Sequence, residues 1–291
     1  LTSVMGYAYY PGCSLRGSAR EYDRSAQAVC ERLGIELLEI PGWICCGSHP
    51  AQVRDGLLAV ALPARSLLNV EGAEEVLTLC PSCFKSLKGA TLKLERDPEL
   101  RERVNQLLGS DYRGGRRVRH LLEVLASEHS EELKSQVEKP LAGLKVVCYY
   151  GCLLARPKEI VDFDDQEDPV LMDRLLELAG AEVLDWPYKT ECCGMSFALS
   201  KPEIALRLSG DILAMAKEAG AECIAVGCPL CHANLDLRQR EIERARGLEL
   251  NLPIFYFTQL LGLALGASPE ELELGKLMVD PYPLLRGKGL I

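Results

Sequence analysis

Ala221-Glu222-Cys223-Ile224-Ala225-Val226-Gly227-Cys228-Pro229-Leu230-Cys231 reads as a short apolar strand, Glu222 to Val226, that ends in a Cys-Pro-x-Cys step into a helix. The same sentence is written earlier as Ala73-Glu74-Glu75-Val76-Leu77-Thr78-Leu79-Cys80-Pro81-Ser82-Cys83, at an offset of 148 residues. Working outward, Cys192-Cys193-Gly194 matches Cys45-Cys46-Gly47 at 147, and Tyr149-Tyr150-Gly151-Cys152 echoes Tyr9-Tyr10-Pro11-Gly12-Cys13 at 139. An internal repeat of this length means two homologous halves. The boundary falls near Lys139-Pro140, giving domains 1–140 and 141–291.

Each half alternates strands and helices. Strands are expected at Gly6–Tyr10, Ile35–Ile40 and Glu75–Leu79, and again at Leu144–Tyr149, Glu182–Trp186 and Glu222–Val226. Helices are expected over Ser18–Leu33, over Ala51–Val70 and from Cys83 onward, with a capping box at Ser200-Lys201-Pro202-Glu203 and a second at Ser268-Pro269-Glu270-Glu271. Strand and helix in alternation define the fold class as α/β: two tandem, pseudo-symmetric Rossmann-like βαβ domains. Cysteines follow the first, second and third strand of each half, so both sets gather at the C-terminal ends of parallel strands, where open sheets place their sites.

Ten of the thirteen cysteines belong to these two sets, with gaps of 31 and 33 residues in the first half and 39 and 34 in the second. Two adjacent thiolates on one centre require a sharp turn, which Gly47 and Gly194 supply. Each Cys-Pro-x-Cys stands at a helix start, where the dipole and free N–H groups favour thiolate. Soft thiolate sets select zinc or iron–sulfur centres. Five ligands exceed the four of a structural zinc and of an ordinary cubane, so both chemistries stay open at this level. Cys30, Cys148 and Cys223 read as small buried hydrophobes.

A net charge of −9 with no basic stripe excludes nucleic acid as a partner class. The opening Leu1-Thr2-Ser3-Val4-Met5-Gly6-Tyr7 has neither the basic nor the apolar segment of a signal peptide, and the most apolar window, Pro253 to Ala267, is too short for a membrane span. A soluble, cytoplasmic protein is expected, with cysteines used for metal rather than disulfides.

Taken together, the doubled Cys…Cys-Cys-Gly…Cys-Pro-x-Cys pattern resembles the catalytic B-type chain of heterodisulfide reductase, a cysteine-rich CCG-domain family. Tyr7-Ala8-Tyr9-Tyr10-Pro11-Gly12-Cys13, Phe257-Thr258-Gln259-Leu260 and the ending from Asp280-Pro281 to Ile291 resemble its bacterial members. The likeness covers essentially the entire chain. It implies two noncubane [4Fe-4S] clusters, one on Cys13, Cys45, Cys46, Cys80 and Cys83, the other on Cys152, Cys192, Cys193, Cys228 and Cys231. It also implies a disulfide oxidoreductase that cleaves or forms a disulfide between the two clusters, on a small-molecule or carrier-bound substrate. Its implied partners are a ferredoxin-like C-type subunit and a flavin-containing A-type subunit.

Arg16, Ser48, His49, Arg156, Lys158 and His232 are the polar residues best placed near the cysteines to touch substrate or tune potential. Two other readings compete. In one, the chain passes electrons to a quinone or flavoprotein partner without disulfide chemistry, since single copies of the motif occur in lactate, glycolate, glycerol-3-phosphate and succinate oxidoreductases. In the other, zinc in one or both halves stabilises an interaction module.

Overall fold

The structure, a computed structural model, describes residues 5–291 apart from the side chains of Met5 and His49. Residues 1–4, on which the signal-peptide reading partly rests, lie outside the described residues, as does the His49 side chain. Contacts divide the chain into two units. The first comprises the chain up to Arg20 together with Gly34–Val124, and the second comprises Glu21–Leu33 together with Leu125–Ile291.

The first unit is built on β1 (Met5–Tyr10), β2 (Ile35–Glu39), β3 (Glu75–Thr78) and β4 (Arg117–His120), all parallel in the order β2-β1-β3-β4. The second repeats this order as β6-β5-β7-β8, from β5 (Lys145–Tyr149), β6 (Glu182–Val183), β7 (Cys223–Val226) and β8 (Ile254–Tyr256). In this topology the chain reverses its winding between the first and third strands of each sheet, and the crevice at their carboxyl ends is the natural site. Register brings those ends level, with Tyr10 opposite Thr78 and Tyr149 opposite Val226.

Two strands go beyond the three expected per half. Arg117-Val118-Arg119-His120 looks polar, yet Arg119 is 3% exposed because Glu123 and Glu75 take its charge at 2.8 and 3.3 Å. The apolar window 253–267 is not one element. It divides into β8 and a fully buried helix, Phe257–Ala264.

Some helices also differ from expectation. The helix expected over Ala51–Val70 is two, Ser48–Arg54 and Leu58–Leu67. Asp55 makes the break, its side chain accepting from the N–H groups of Leu57 and Leu58 at 2.7 and 3.2 Å and so starting a second helix. The box at Ser200 does not form, since Lys201 occupies the N-cap of the Pro202–Glu218 helix without a side-chain bond. Ser268 and Glu271 do bond reciprocally, at 3.4 and 3.1 Å, but around a single turn that passes into the Leu274–Lys276 3-10 turn.

The helix Arg20–Arg32 lies in the second unit although its sequence stands between β1 and β2. Tyr22, Ala26 and Val29, one stripe at helical spacing, are all fully buried. Tyr22 stacks on Tyr256 at 4.1 Å and donates to the Gly227 carbonyl at 3.2 Å. The Ser25 and Thr258 hydroxyls meet at 2.7 Å, and Arg32 binds Glu271 with two bonds of 2.8 and 2.9 Å.

Candidate metal centres

All ten cysteines of the two sets fall at the carboxyl ends of their strands, five in each unit. Cys80 and Cys228 are N-cap residues, with proline at the first position of the Pro81–Arg96 and Pro229–Leu237 helices. Cys83 and Cys231 therefore stand in the first turns of those helices. Cys46, Cys80 and Cys83 are buried beneath the exposed Cys13 and Cys45. In the second unit Cys193, Cys228 and Cys231 are buried, Cys152 is half-buried and Cys192 is exposed.

The thiols approach in pairs. Sγ–Sγ distances are 3.7 Å for Cys13–Cys45 and 3.6 Å for both Cys46–Cys83 and Cys193–Cys231. Hydrogen bonding from Cys83 draws the Cys46 thiol down to about 7 against the opposing effect of burial, with help from the Ser48 N–H and the Ser86 hydroxyl. Its partner Cys83 is pushed up. In the second unit Cys152 lowers Cys192 to about 6, and the Gly194 N–H donates to Cys192 Sγ at 3.4 Å. Each set thus contains thiols held ready to ionise, which is the state a metal binds.

Gly47 and Gly194 adopt left-handed φ values of 74° and 77°, the turn that two adjacent ligands require. Gly12 and Gly151, at φ 71° and 67°, do more. A Cβ on Gly12 would stand 2.8 Å from Cys83 Sγ, and one on Gly151 3.0 Å from Cys231 Sγ. The backbone therefore leaves a cradle beside the same cysteine in both units. Among the described residues no trio of Cys, His, Asp or Glu is grouped for a single ion. Five thiols, some buried and some at the surface, are a donor set suited to a larger sulfur-rich group.

Residues that sequence reasoning left unassigned hold the Cys-Cys-Gly turns. Tyr10 donates to the Ile44 carbonyl at 2.6 Å, and Tyr149 donates to the Glu191 carbonyl at 2.7 Å, each fixing the peptide just before its cysteine pair. Their signal was the shared position, three residues before Cys13 and Cys152. Asn234 and Ser209 also clamp the Cys193 carbonyl, at 2.8 and 2.9 Å.

Several polar candidates have other partners. Arg16 pairs with Glu39, which also accepts from Trp43 at 2.8 Å. Arg156 binds Glu167 at 2.8 Å and Thr190 at 3.3 Å, and Lys158 is exposed. Ser48 opens its helix and meets Cys46 through its backbone N–H. His232 is buried, stacked on Tyr256 at 4.3 Å and bonded to the Ile254 carbonyl at 2.9 Å. Burial pushes it down to about 4, so its ring is neutral and supports the helix that begins at Cys228. A separate cavity of about 700 Å³ in the first unit is lined by residues 67–68, 74–75 and 111–117, none of them a cysteine.

Two α/β units, each collecting five cysteines at a winding reversal, define a tandem cysteine-cluster protein. The chain belongs to the cysteine-rich domain family, which matches residues 7–88 and 146–236, and within it to the B-type chains of heterodisulfide reductases. It is 33% identical to the B-type chain of the ferredoxin/F(420)H(2)-dependent CoB-CoM heterodisulfide reductase of Methanosarcina acetivorans, over 90% of each chain. It is also 34% identical to the 8-methylmenaquinol:fumarate reductase membrane anchor subunit of Wolinella succinogenes, over 96% of this chain and 98% of that one. A hypothetical protein from Helicobacter pylori has a like fold, with TM-score 0.73 and 11% identity over 94% of this chain and 52% of that one. No described helix is long and apolar enough to cross a membrane.

Proposed function

We propose that this chain is an oxidoreductase subunit in which each five-cysteine set holds a noncubane [4Fe-4S] cluster and the two clusters together serve a disulfide–dithiol couple. The observation that carries this reading is the duplication. Both units keep all five thiols, the same three-buried pattern, the same glycine cradle and the same tyrosine bond. When bound, such a cluster supplies single electrons and an iron face with affinity for sulfur. Cleaving a disulfide takes two electrons, so a pair of one-electron centres suits the task. Cys46, Cys80 and Cys83, with Cys193, Cys228 and Cys231, are the inner ligands, while Cys13, Cys45, Cys152 and Cys192 line the side open to substrate.

The reading places the protein in the cytoplasm, with a ferredoxin-like C-type and a flavin-containing A-type subunit as partners. Val53 and Leu199, 74% and 97% exposed, follow the two Cys-Cys-Gly turns and offer apolar contacts for such partners. The fumarate reductase relative favours a second reading, in which the chain relays electrons to a quinone-linked or flavin partner without disulfide chemistry.

Metal analysis of anaerobically purified protein, with electron paramagnetic resonance after a thiol is added under mild oxidation, separates these. The expected result is about eight irons and about eight sulfides per chain, and a signal that shifts with the thiol. Replacing Cys46 or Cys193 with serine should each remove about half of that iron. Full iron without a thiol response would favour the relay, and zinc would sink both.

A further inference from the structure

The geometry points to Tyr10 and Tyr149 as a matched pair of positioning residues, each setting the cysteine pair of its own unit through one hydrogen bond to the preceding carbonyl. The inference deepens the cluster reading and rests on it only for the identity of the metal.

Three observations converge on each tyrosine. Both rings are buried, Tyr10 fully and Tyr149 to within 1%, at the end of the central strand before the first cysteine. Both hydroxyls reach more than thirty residues along the chain, to Ile44 and Glu191, the residues just before Cys45 and Cys192. Both rings share the glycine cradle. The Cβ built on Gly12 meets Tyr10 Cε1 at 3.3 Å as well as Cys83, and that on Gly151 meets the Tyr149 hydroxyl at 3.4 Å as well as Cys231. Each ring is therefore wedged between the cysteine pair and the last cysteine of its set.

The chemistry limits what the tyrosine does. A phenol has one hydrogen to donate, and here it is committed to a carbonyl. Neither tyrosine is thus a proton donor to substrate or thiolate. The bond fixes the peptide plane that aims the adjacent Cα–Cβ vector, so it acts on ligand geometry in the manner of an outer-shell partner. Around the first set the loop has a second tie, with Ser66 accepting from the Ile44 N–H at 3.1 Å. The second set is held by the Tyr150 and Gly151 N–H groups on the Lys189 carbonyl, at 2.9 and 3.0 Å.

Tyr10→Phe and Tyr149→Phe keep the ring and delete the bond. On the full chain, the rate of metal transfer to a chelator should rise about three- to tenfold for half of the metal in each variant, as expected for one buried hydrogen bond. The two variants should affect opposite halves, distinguished by the set whose paramagnetic signal broadens. Amide hydrogen exchange at residues 45–47 should accelerate only in Tyr10→Phe, and at 192–194 only in Tyr149→Phe. Unchanged release in both variants, or equal loosening of both sets by either one, would overturn the inference. Each unit reports on its own pin, so one well-folded variant suffices. Zinc in the wild-type protein would defeat the iron–sulfur reading while leaving the pin measurable by zinc release.

Discussion

At the scale of single residues, Gly12 and Gly151 are the positions least able to change. Alanine there adds about 1–2 kcal/mol of left-handed backbone strain. It also drives a methyl to 2.8 or 3.0 Å from a ligand sulfur. Gly12→Ala should yield protein with the first set's metal missing and the second's retained, and Gly151→Ala the reverse, as read by metal-to-protein ratio. His120 predicts a pH effect. Burial lowers it from 6.5 to about 4, although the Leu79 carbonyl, 2.8 Å from Nε2, acts the other way. The folded state therefore resists protonation. The stability it contributes is complete above 6.5 and is lost as pH falls toward 4. Asp236 has the opposite sign. Raised by burial from 3.8 to about 6, despite N–H bonds from Met278 and Val279, it contributes most below 3.8 and loses that contribution as pH rises through about 6. The urea midpoint should fall less between pH 7 and pH 5 in His120→Gln than in the parent, and more in Asp236→Asn. Parallel curves for all three proteins would refute both assignments.

Among elements, the helix Arg20–Arg32 makes the strongest prediction. Tyr22→Ala removes a fully buried ring from its stack on Tyr256 and should destabilise by about 3–5 kcal/mol in chemical denaturation. A second test is Lys189, whose ammonium lies 3.2 Å from the nearly buried Asp173, itself bound by the Tyr150 hydroxyl at 2.5 Å. Lys189→Met leaves that carboxylate without its cation, and a loss of about 3–5 kcal/mol is expected in the same measurement. Both elements show where sequence stops. The apolar stripe of Tyr22, Ala26 and Val29 announces a helix, but nothing in its spacing says that the second unit receives it. β4 was hidden because Arg117 and Arg119 are neutralised by glutamates, one of them distant in sequence. β8 is three residues long, too short to separate from the apolar helix that follows.

On the scale of the entire molecule, the cysteine sets were the most legible feature. Ligand spacing is a local covalent fact, and a parallel sheet brings strand ends together whatever the intervening loops do. Tyr10 and Tyr149 were less legible because a hydroxyl's partner is fixed only by folding. Metal should also act as a ligand of the folded state alone. Stripping it with a chelator under reducing conditions should lower the melting temperature, by mass action. An unchanged melting temperature would mean that the thiols are arranged without metal.

The displaced helix bears on heredity as much as on stability. Two copies of one ancestral domain, joined in tandem, could once be separated by breaking the gene between them. Residues 21–33 now supply Tyr22 and Ser25 to Tyr256 and Thr258, so a break near residue 140 parts the second unit from one of its own helices. Recombination that exchanges one half for a cousin's must carry a compatible helix with it. The fusion has become a ratchet, in which each half evolves its own substrate-facing surface while neither can leave.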